Sequence, residues 1–326
     1  MPANLTPEYE RAERRYREAL DDAERMAALQ EMLAVIPKHK GTEKLQAELK
    51  RRLSQLRRAE QKAGPGKGPD PFHLPKHGAG QVVLAGPPNT GKSSLLAATT
   101  HAPVRVADFP FTTVVPQPGM WLREDVQLEL VDTPPLTADH VPAGLMGTLR
   151  NADVVGLVVE AGDAGLEQAE TVLELFRERG LMLRSVPRSA LAALPTGTRP
   201  GLLVVNKTDL TGGQALDVLR DLYAGQLDVL GVSARTGEGL DALFRRLWEL
   251  LAVVRVYSKE PGKAPDMNRP FTLPEGATVA DLARHIHRDL PDTMRFARLW
   301  GHSRFPGQAV PKTEVLRDRD IVEIHG

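Results

Sequence analysis

A nine-residue stretch in the first third of the chain carries the residue types that bind phosphate. Its sequence, G-P-P-N-T-G-K-S-S, fits the pattern G-x-x-x-x-G-K-[ST] at every fixed position. In such a loop, backbone N–H groups and the positive end of the following helix converge on phosphate oxygens. The lysine reaches the β- and γ-phosphates, and the serine hydroxyl binds Mg²⁺. The predicted contacts are Gly86, Pro87, Pro88, Asn89, Thr90, Gly91, Lys92, Ser93 and Ser94.

A second group of polar residues has the chemistry to read a nucleobase. The sequence N-K-T-D follows the apolar run 202–205, and S-A-R follows the run 229–232. An aspartate carboxylate accepts both the N1–H and the exocyclic N2–H₂ of guanine, whereas adenine offers neither donor. The backbone of S-A-R is expected near the guanine O6. These motifs favour GTP over ATP, although each alone would also fit a polar loop at a strand end. The predicted guanine contacts are Asn206, Lys207, Asp209, Ser233, Ala234 and Arg235.

Two further motifs could complete a Mg²⁺ site. Asp132 follows the apolar run 126–131, where a carboxylate can hold the ion through a water molecule. The sequence D-F-P-F-T-T at 108–113 lies where a mobile switch is expected, and a threonine hydroxyl there would bind the ion when the γ-phosphate is present. Thr113 is preferred to Thr112 for this role. The predicted catalytic residues are Lys92 and Thr113, and the predicted Mg²⁺ ligands are Ser93 and Thr113.

The elements that must position these residues form an α/β pattern. Near-continuous apolar runs at 82–85, 126–131, 154–159, 202–205 and 229–232 alternate with helical stretches. This alternation predicts a largely parallel sheet with both faces covered. Ligands bind at the carboxyl ends of such strands, and each polar motif directly follows one of the runs.

The remaining chain predicts three flanking segments. Residues 1–63 have helical periodicity broken at 37–41, which predicts a helical hairpin. Residues 64–80 are rich in glycine and proline and read as a linker into a domain at 81–252. Residues 253–326 predict a small α+β module, in which a helix from Thr278 to Leu290 begins with a capping box that uses Asp281.

Composition limits the function classes. The chain has 326 residues, a formal net charge of +0 and no cysteine, so disulfides and thiolate chemistry are excluded. A basic cluster at 38–58 could contact RNA phosphates; the alternative is a solvated helix face, since helices often carry such charge. No apolar run approaches about 18 residues and no signal-like start is present. We therefore expect a soluble, cytoplasmic protein with no membrane partner.

Taken together, the motifs resemble those of a known family. In order, G-P-P-N-T-G-K-S, D-F-P-F-T-T, D-T-P-P-L, N-K-T-D and S-A-R resemble the Obg-like GTPases, and the whole chain looks most like the developmentally regulated GTP-binding proteins. The tail, with R-V-Y-S-K-E-P-G-K-A-P-D and F-A-R-L-W-G, resembles their TGS domain, a ubiquitin-like β-grasp module. The N-terminal I-P-K-H-K-G-T-E-K-L-Q is similar to their helical start.

The resemblance implies a P-loop GTPase domain that hydrolyses GTP to GDP with Mg²⁺ and works on the ribosome or structured RNA. Asn89 matches the loop asparagine that helps bind K⁺ in potassium-activated relatives, where the ion stands in for an arginine finger. We see no intrinsic general base or arginine finger in the sequence, so a protein activator is expected.

Three departures qualify the resemblance. Pro135 replaces the glycine of D-x-x-G, whose N–H senses the γ-phosphate, and proline has no N–H. Leu136 stands where Ras-like enzymes keep a water-orienting glutamine. The extra domain before N-K-x-D is missing, and only 184–199 remains. Two alternatives therefore stay open: a guanine-nucleotide-binding module with little hydrolysis, and an adaptor in which the TGS domain is the main actor.

Overall fold

The computed structural model describes residues 71–100, 115–211 and 214–326, together with Leu29, Met32, Leu33, Val35, Ile36 and Leu49. The chain divides into two compact units, Met1–Asp70 and Pro71–Gly326. The predicted N-terminal hairpin, apart from these six residues, lies outside the described residues. So do Thr112 and Thr113.

The first sheet of the second unit is mostly parallel, as predicted. The strand order is β2-β3-β1-β4-β6-β5, with β7 also paired to β6. Only the β2–β3 pair is antiparallel, and β1, β3, β4, β5, β6 and β7 run in parallel. The strands are β1 (Gln81–Ala85), β2 (Gln117–Arg123), β3 (Val126–Asp132), β4 (Val154–Glu160), β5 (Met182–Arg184), β6 (Thr198–Asn206) and β7 (Val229–Gly231).

Helices cover both faces of this sheet, because successive strand residues point to opposite sides. Val83 and Val155 pack with one set of helices (α2, α3 and α4), and Val82 and Val154 pack with another (α1 and α5). This two-sided burial explains why the strands are near-continuous apolar runs. The helices are α1 (Lys92–Thr99), α2 (Leu145–Asn151), α3 (Ala164–Glu178), α4 (Gln214–Tyr223) and α5 (Leu240–Leu251), with 3₁₀ turns at Arg188–Ala193 and Thr208–Leu210.

Sequence patterns missed two strands of the first sheet. The strand β2 reads Q-P-G-M-W-L-R, with most of its side chains exposed and a proline and a glycine inside it. Such a strand is tolerated at a sheet edge, where one side needs no ladder hydrogen bonds. The strand β5 has only three residues, with one of them buried, and gives no periodic signal.

The second sheet forms the C-terminal module. Its order is β11-β10-β12-β8-β9, and one helix packs against it through Val279, Leu282 and Ala283. Within the described part of the chain, no helix is long and apolar enough to cross a bilayer. The elements are β8 (Val253–Lys259), β9 (Phe271–Pro274), α6 (Val279–Ile286), α7 (Leu290–Thr293), β10 (Phe296–Trp300), β11 (Gln308–Val310) and β12 (Asp320–His325).

The predicted capping box of α6 is confirmed, but the predicted end of the helix is wrong. The Thr278 side chain accepts from the Asp281 N–H, and the Asp281 carboxylate accepts from the Thr278 N–H. The helix ends at Ile286 rather than Leu290, because His287 adopts an extended backbone. A separate short helix then begins at Leu290, with Pro291 in its first turn, where a missing N–H costs no hydrogen bond.

Residues 71–80, which belong to the predicted linker, run along the first sheet. The Thr148 hydroxyl donates to the Phe72 carbonyl at 2.7 Å, and Lys76 pairs with the buried Asp153 at 2.6 Å. The Ala79 N–H donates to the Gln127 carbonyl at 2.8 Å. This part of the linker therefore has fixed partners on the domain that follows it.

A cluster of charged residues joins the two sheets. Arg255 of β8 donates to Glu124 at 2.7 Å and to Asp125 at 2.8 Å, both in the β2–β3 turn. It also donates to Asp318 of the C-terminal module at 3.1 Å. The Tyr257 hydroxyl donates to Asp125. The C-terminal module is thus tied to the turn of the hairpin whose second strand ends at Asp132.

Candidate nucleotide-binding site

The fold places the predicted phosphate and guanine motifs at one edge of the first sheet. Parallel pairing sets Leu84 beside Asp132 and Glu160 beside Asn206. The strands β1, β3, β6 and β7 therefore end side by side, and the loops that follow them carry the motifs. This arrangement satisfies the rule that ligands of parallel sheets bind beyond the carboxyl ends of the strands.

Glycine is required at both motif positions of the phosphate loop, because a side chain there would collide with neighbouring atoms. Gly86 has φ of 152°, and a Cβ there would overlap the Val158 carbonyl of the neighbouring strand. Gly91 has φ of 85°, and a Cβ there would overlap the Asn206 amide. Asn89 also has a positive φ, 63°, and is exposed at the tip of the loop. Pro87, Pro88 and Ser94 are half-buried, and Thr90 is buried, with its hydroxyl 3.2 Å from the Pro87 carbonyl.

Lys92 is a buried cation inside this loop. Only 6% of the residue is exposed. Its ammonium donates to the Gly86 carbonyl at 3.0 Å and to the Pro87 carbonyl at 2.7 Å. Burial lowers the pKa of Lys92 to about 8, and the nearby Asp132 only partly opposes this shift. A desolvated ammonium held by neutral carbonyls is well suited to attract a phosphate.

Ser93 and Asp132 meet beneath the phosphate loop. The Ser93 hydroxyl donates to the Asp132 carboxylate at 2.6 Å, and Asp132 is almost fully buried. A hydroxyl and a carboxylate are the hard oxygen ligands that Mg²⁺ prefers, directly or through water. The donor set present here therefore fits Mg²⁺. Thr113, the other predicted ligand, lies outside the described residues.

Asn206 links the phosphate loop to the guanine loops. Its amide nitrogen donates to the Thr90 carbonyl at 2.9 Å, and its amide oxygen accepts from the Ala234 N–H at 3.1 Å. The residue is 1% exposed. Because one buried side chain bridges both loops, the phosphate and base contacts have a fixed relative position.

Asp209, the predicted guanine reader, is bonded on both carboxylate oxygens. The Ser233 hydroxyl donates to Oδ1 at 2.6 Å, and the Arg235 guanidinium lies 2.6 Å from Oδ2. The Ser233 hydrogen bond, together with the charge of Arg235, lowers the pKa of Asp209 although partial burial opposes the shift. The carboxylate is therefore ionised at neutral pH and oriented for hydrogen-bond donors.

Glu160 is a site residue that sequence reasoning missed. It is the last residue of β4 and pairs with the Lys207 ammonium at 3.0 Å. Lys207 itself has φ of 67°, a left-handed conformation that directs the chain into the 3₁₀ turn containing Asp209. The available signal was positional, since Glu160 ends an apolar run at the same sheet edge as the other motifs.

The segment after Asp132 is held tightly against the phosphate loop. The Thr133 hydroxyl donates to the Leu84 carbonyl at 2.7 Å, and the Leu136 N–H donates to the Gly86 carbonyl at 3.1 Å. Pro135 is buried, and the Leu136 side chain is fully buried in the core. Leu136 therefore cannot orient a water molecule from this position.

Comparison with known proteins agrees with this geometry. Residues 81–186 match the family model described as 50S ribosome-binding GTPase, and residues 254–325 match the TGS domain. Over its length the chain is similar to GTPases of the developmentally regulated GTP-binding type. Its resemblance to that family and its C-terminal TGS domain, predicted from the motifs, are thereby confirmed.

Three relatives each align with 92% of this GTPase. A GTP-binding protein of Halobacterium salinarum is 28% identical, with 98% of its own length covered. A GTP-binding protein of Methanocaldococcus jannaschii is 28% identical, with 92% covered. Developmentally-regulated G-protein 1 of Arabidopsis thaliana is 27% identical, with 90% covered.

This GTPase is shorter than its relatives. The alignment with the Halobacterium protein spans 365 positions, more than the 326 residues of the chain. The relative therefore has segments that this chain lacks. Between β5 and β6, where the sequence predicts a missing domain, the described chain contains only short connections and the 3₁₀ turn Arg188–Ala193.

Proposed function

We propose that this GTPase hydrolyses GTP to GDP and phosphate in a Mg²⁺-dependent reaction and acts as a slow switch on the ribosome or on structured RNA. The observation that carries the proposal is the meeting of three groups at one sheet edge. These are the buried Lys92 ammonium, the Ser93–Asp132 pair and the Asp209 carboxylate. They match, in order, the phosphates, the metal ion and the guanine of a Mg²⁺-bound guanine nucleotide.

The residues of the phosphate loop bind and orient the triphosphate. Lys92 offers a positive charge whose hydrogen bonds go to neutral carbonyls in the nucleotide-free protein, and the backbone N–H groups of 90–93 add donors. Ser93, Asp132 (through water) and Thr113 would hold a Mg²⁺ ion, which would supply positive charge to the phosphate oxygens. The same residues hold the nucleotide in place while water attacks the γ-phosphate in line.

The described residues include no obvious group that would orient the attacking water. Leu136 is buried, so the usual water-orienting position is apolar. We infer that a protein activator or the ribosome supplies the missing group. A K⁺ ion near Asn89 is a further part of this proposal, because Asn89 is an exposed residue of the phosphate loop and its side chain carries an amide oxygen. The description of the matching family model as ribosome-binding supports the ribosome as partner, and a cytoplasmic location is part of the same proposal.

The test is steady-state GTP hydrolysis in matched KCl and NaCl buffers, with and without ribosomes. We expect hydrolysis that rises with K⁺, rises further with ribosomes and is lost in Lys92→Ala and Asn206→Ala. Tight Mg²⁺-dependent nucleotide binding without turnover in any condition would overturn the switch.

A second candidate is a module that binds guanine nucleotides with little hydrolysis. The bonds from Thr133 and Leu136 to β1 and the phosphate loop favour it, because they would hold the segment 132–136 in place whichever nucleotide is bound. This candidate predicts equal affinities for GTP and GDP and the same protease-digestion pattern with either. If instead the TGS domain acts alone as an adaptor, cellular function would survive Lys92→Ala.

A further inference from the structure

The groups that are predicted to contact guanine already have hydrogen-bond partners within the protein. The Ala234 N–H, predicted to lie near the guanine O6, donates to the Asn206 side chain at 3.1 Å. The Asn206 amide nitrogen donates to the Thr90 carbonyl. Both oxygens of Asp209 also have partners within the protein. Each group that would read guanine therefore already has a partner that the base must replace or share.

The two partners of Asp209 differ in position. Ser233 is fully buried, so its hydroxyl approaches the carboxylate from the protein side. The Arg235 side chain is 71% exposed, so its guanidinium approaches from solvent, and the Asp209 side chain beneath it is only 9% exposed. A base enters from solvent. The donor that it meets on Asp209 is therefore Arg235.

The chemistry of the two competing donors is the same. Guanine presents to a carboxylate the N1–H and N2–H₂ groups that flank C2, a planar N–C–N fork. The arginine guanidinium presents a planar N–C–N fork of N–H donors to the same acceptor. A side chain that carries this fork can satisfy Asp209 in the way guanine does.

We propose that Arg235 is an intramolecular mimic of guanine, a latch that covers Asp209 and that the incoming base must displace. The inference rests on the proposed binding of guanine nucleotides at this site and adds a residue that regulates it. Binding-competent molecules are those in which Arg235 has left Asp209. The apparent affinity and the association rate are both reduced by the fraction of molecules that remain latched.

The expected size of the effect is modest. An exposed ion pair contributes little free energy, because solvent screens it and both side chains lose freedom. Removing the latch should therefore raise the association rate and the affinity for GDP about two- to fivefold. The difference between variant and wild type should shrink at high salt. Salt weakens the exposed Arg235–Asp209 pair of the wild type, whereas the variant has no such pair.

The experiment measures association and dissociation of a fluorescent methylanthraniloyl-GDP by stopped flow at 50 and 500 mM NaCl. Arg235→Met keeps an unbranched aliphatic stem and removes the fork, and Arg235→Lys keeps the charge without the fork. The control is Arg220→Ala, which removes an arginine that pairs with Asp217 on α4 and donates weakly to the Val229 carbonyl at 3.5 Å. Thermal melting of each nucleotide-free variant reports whether it is folded.

We expect faster association in Arg235→Met, an intermediate rate in Arg235→Lys and no change in Arg220→Ala. Equal or slower association in a folded Arg235→Met would overturn the latch and would indicate that the arginine instead supports the bound base. The Asp209→Ala variant separates the two proposals. If the wild type binds GDP, Asp209→Ala does not and Arg235→Met gains nothing, then only the latch fails. If the wild type does not bind GDP, both proposals fail.

Discussion

Lys92 and Arg255 are both cations withdrawn from solvent, and they have opposite surroundings. Lys92 contacts two neutral carbonyls, with Asp132 as its nearby charge, and burial lowers its pKa to about 8. Arg255 is similarly buried, but it donates to Glu124, Asp125 and Asp318. Although burial opposes its charge, those hydrogen bonds raise the pKa of Arg255 above the ordinary value.

The difference separates a charge that serves a ligand from a charge that serves the fold. A buried cation whose hydrogen bonds go to neutral carbonyls is costly in the nucleotide-free protein, and binding a phosphate relieves that cost. A buried cation with three carboxylates is satisfied before any ligand arrives. Lys92 is therefore the charge that the nucleotide completes, and Arg255 is the charge that joins the TGS domain to the β2–β3 turn.

The largest effect that would test this comparison is the loss of Lys92. In Lys92→Ala we expect GTP hydrolysis to fall by about 10²- to 10³-fold, the usual consequence of removing a positioned donor to a developing charge. Stability of the nucleotide-free protein should not fall, because the Lys92 ammonium donates to neutral carbonyls and its burial opposes its charge. Hydrolysis assays and urea unfolding of the same preparation check both halves. A clear drop in unfolding free energy would contradict the assignment of Lys92 as a ligand-serving charge.

Removing Arg255 should have the reverse profile. Arg255→Met keeps an apolar stem over the Trp248 ring, whose centroid lies 5.5 Å from the guanidinium carbon, but removes the guanidinium that Glu124, Asp125 and Asp318 share. We expect about 1–2 kcal/mol of lost stability, less than for a fully buried pair because Glu124 and Asp318 are partly exposed.

Urea unfolding and GDP binding measure the two consequences of Arg255→Met. GDP affinity should be unchanged, since Arg255 contacts the opposite end of the β2–β3 hairpin from Asp132. The matched control is Arg319→Met. The Arg319 side chain pairs with the same Glu124 but is 61% exposed, so its removal should lower the free energy of unfolding by less. If Arg255→Met unfolds at the same urea concentration as the wild type, Arg255 does not have the proposed structural role.

The lowered pKa of Lys92 makes nucleotide binding pH-dependent. Phosphate favours the charged ammonium, so binding raises the pKa of Lys92 from about 8 and the protein takes up a proton. Affinity for GDP should therefore fall as pH rises through 8, by up to about tenfold per pH unit. In the nucleotide-free protein the sign is opposite. The unfolded chain holds the proton up to a higher pH, so stability rises with pH above 8.

Calorimetry in two buffers of different ionisation enthalpy measures the proton uptake directly. With a pKa of about 8, uptake should grow from about one-quarter of a proton at pH 7.5 to about three-quarters at pH 8.5. Lys92→Arg is the control, because arginine keeps its charge throughout this range. Constant uptake between the two pH values in the wild type would show that Lys92 does not titrate there.

How much of this could be predicted from sequence depended on distance along the chain. Local spacing predicted the phosphate loop, and the apolar runs predicted β1, β3 and β4, because each run is buried on both faces of a parallel sheet. The capping box at Thr278 was predicted for the same local reason. The edge strand β2 was missed because most of its residues are exposed and because it contains a proline and a glycine. It therefore lacks the continuous apolar run that marks the inner strands.

Contacts between distant residues could not be predicted. Glu160 and Lys207 are 47 positions apart, and Arg255 and Glu124 are 131 apart. Nothing in either local sequence identifies the partner. The Arg235–Asp209 pair spans fewer residues, but its existence depends on β6 and β7 pairing in register. Sequence therefore predicted the chemistry of the site better than the network that positions it.

The smallest expected effect comes from Tyr257, the uncharged residue of the Arg255 cluster. Its loss can be compared with the loss of the Arg255 charge. Tyr257 donates to Asp125, and burial together with that hydrogen bond raises the pKa of Tyr257 to about 12. Tyr257→Phe removes one hydroxyl and leaves Arg255 beside the carboxylate, so we expect a loss of about 0.5–1 kcal/mol. Urea unfolding at pH 7 measures it, with Tyr223→Phe as the control tyrosine. A loss as large as that of Arg255→Met would mean that the hydroxyl, rather than the cation, organises the junction.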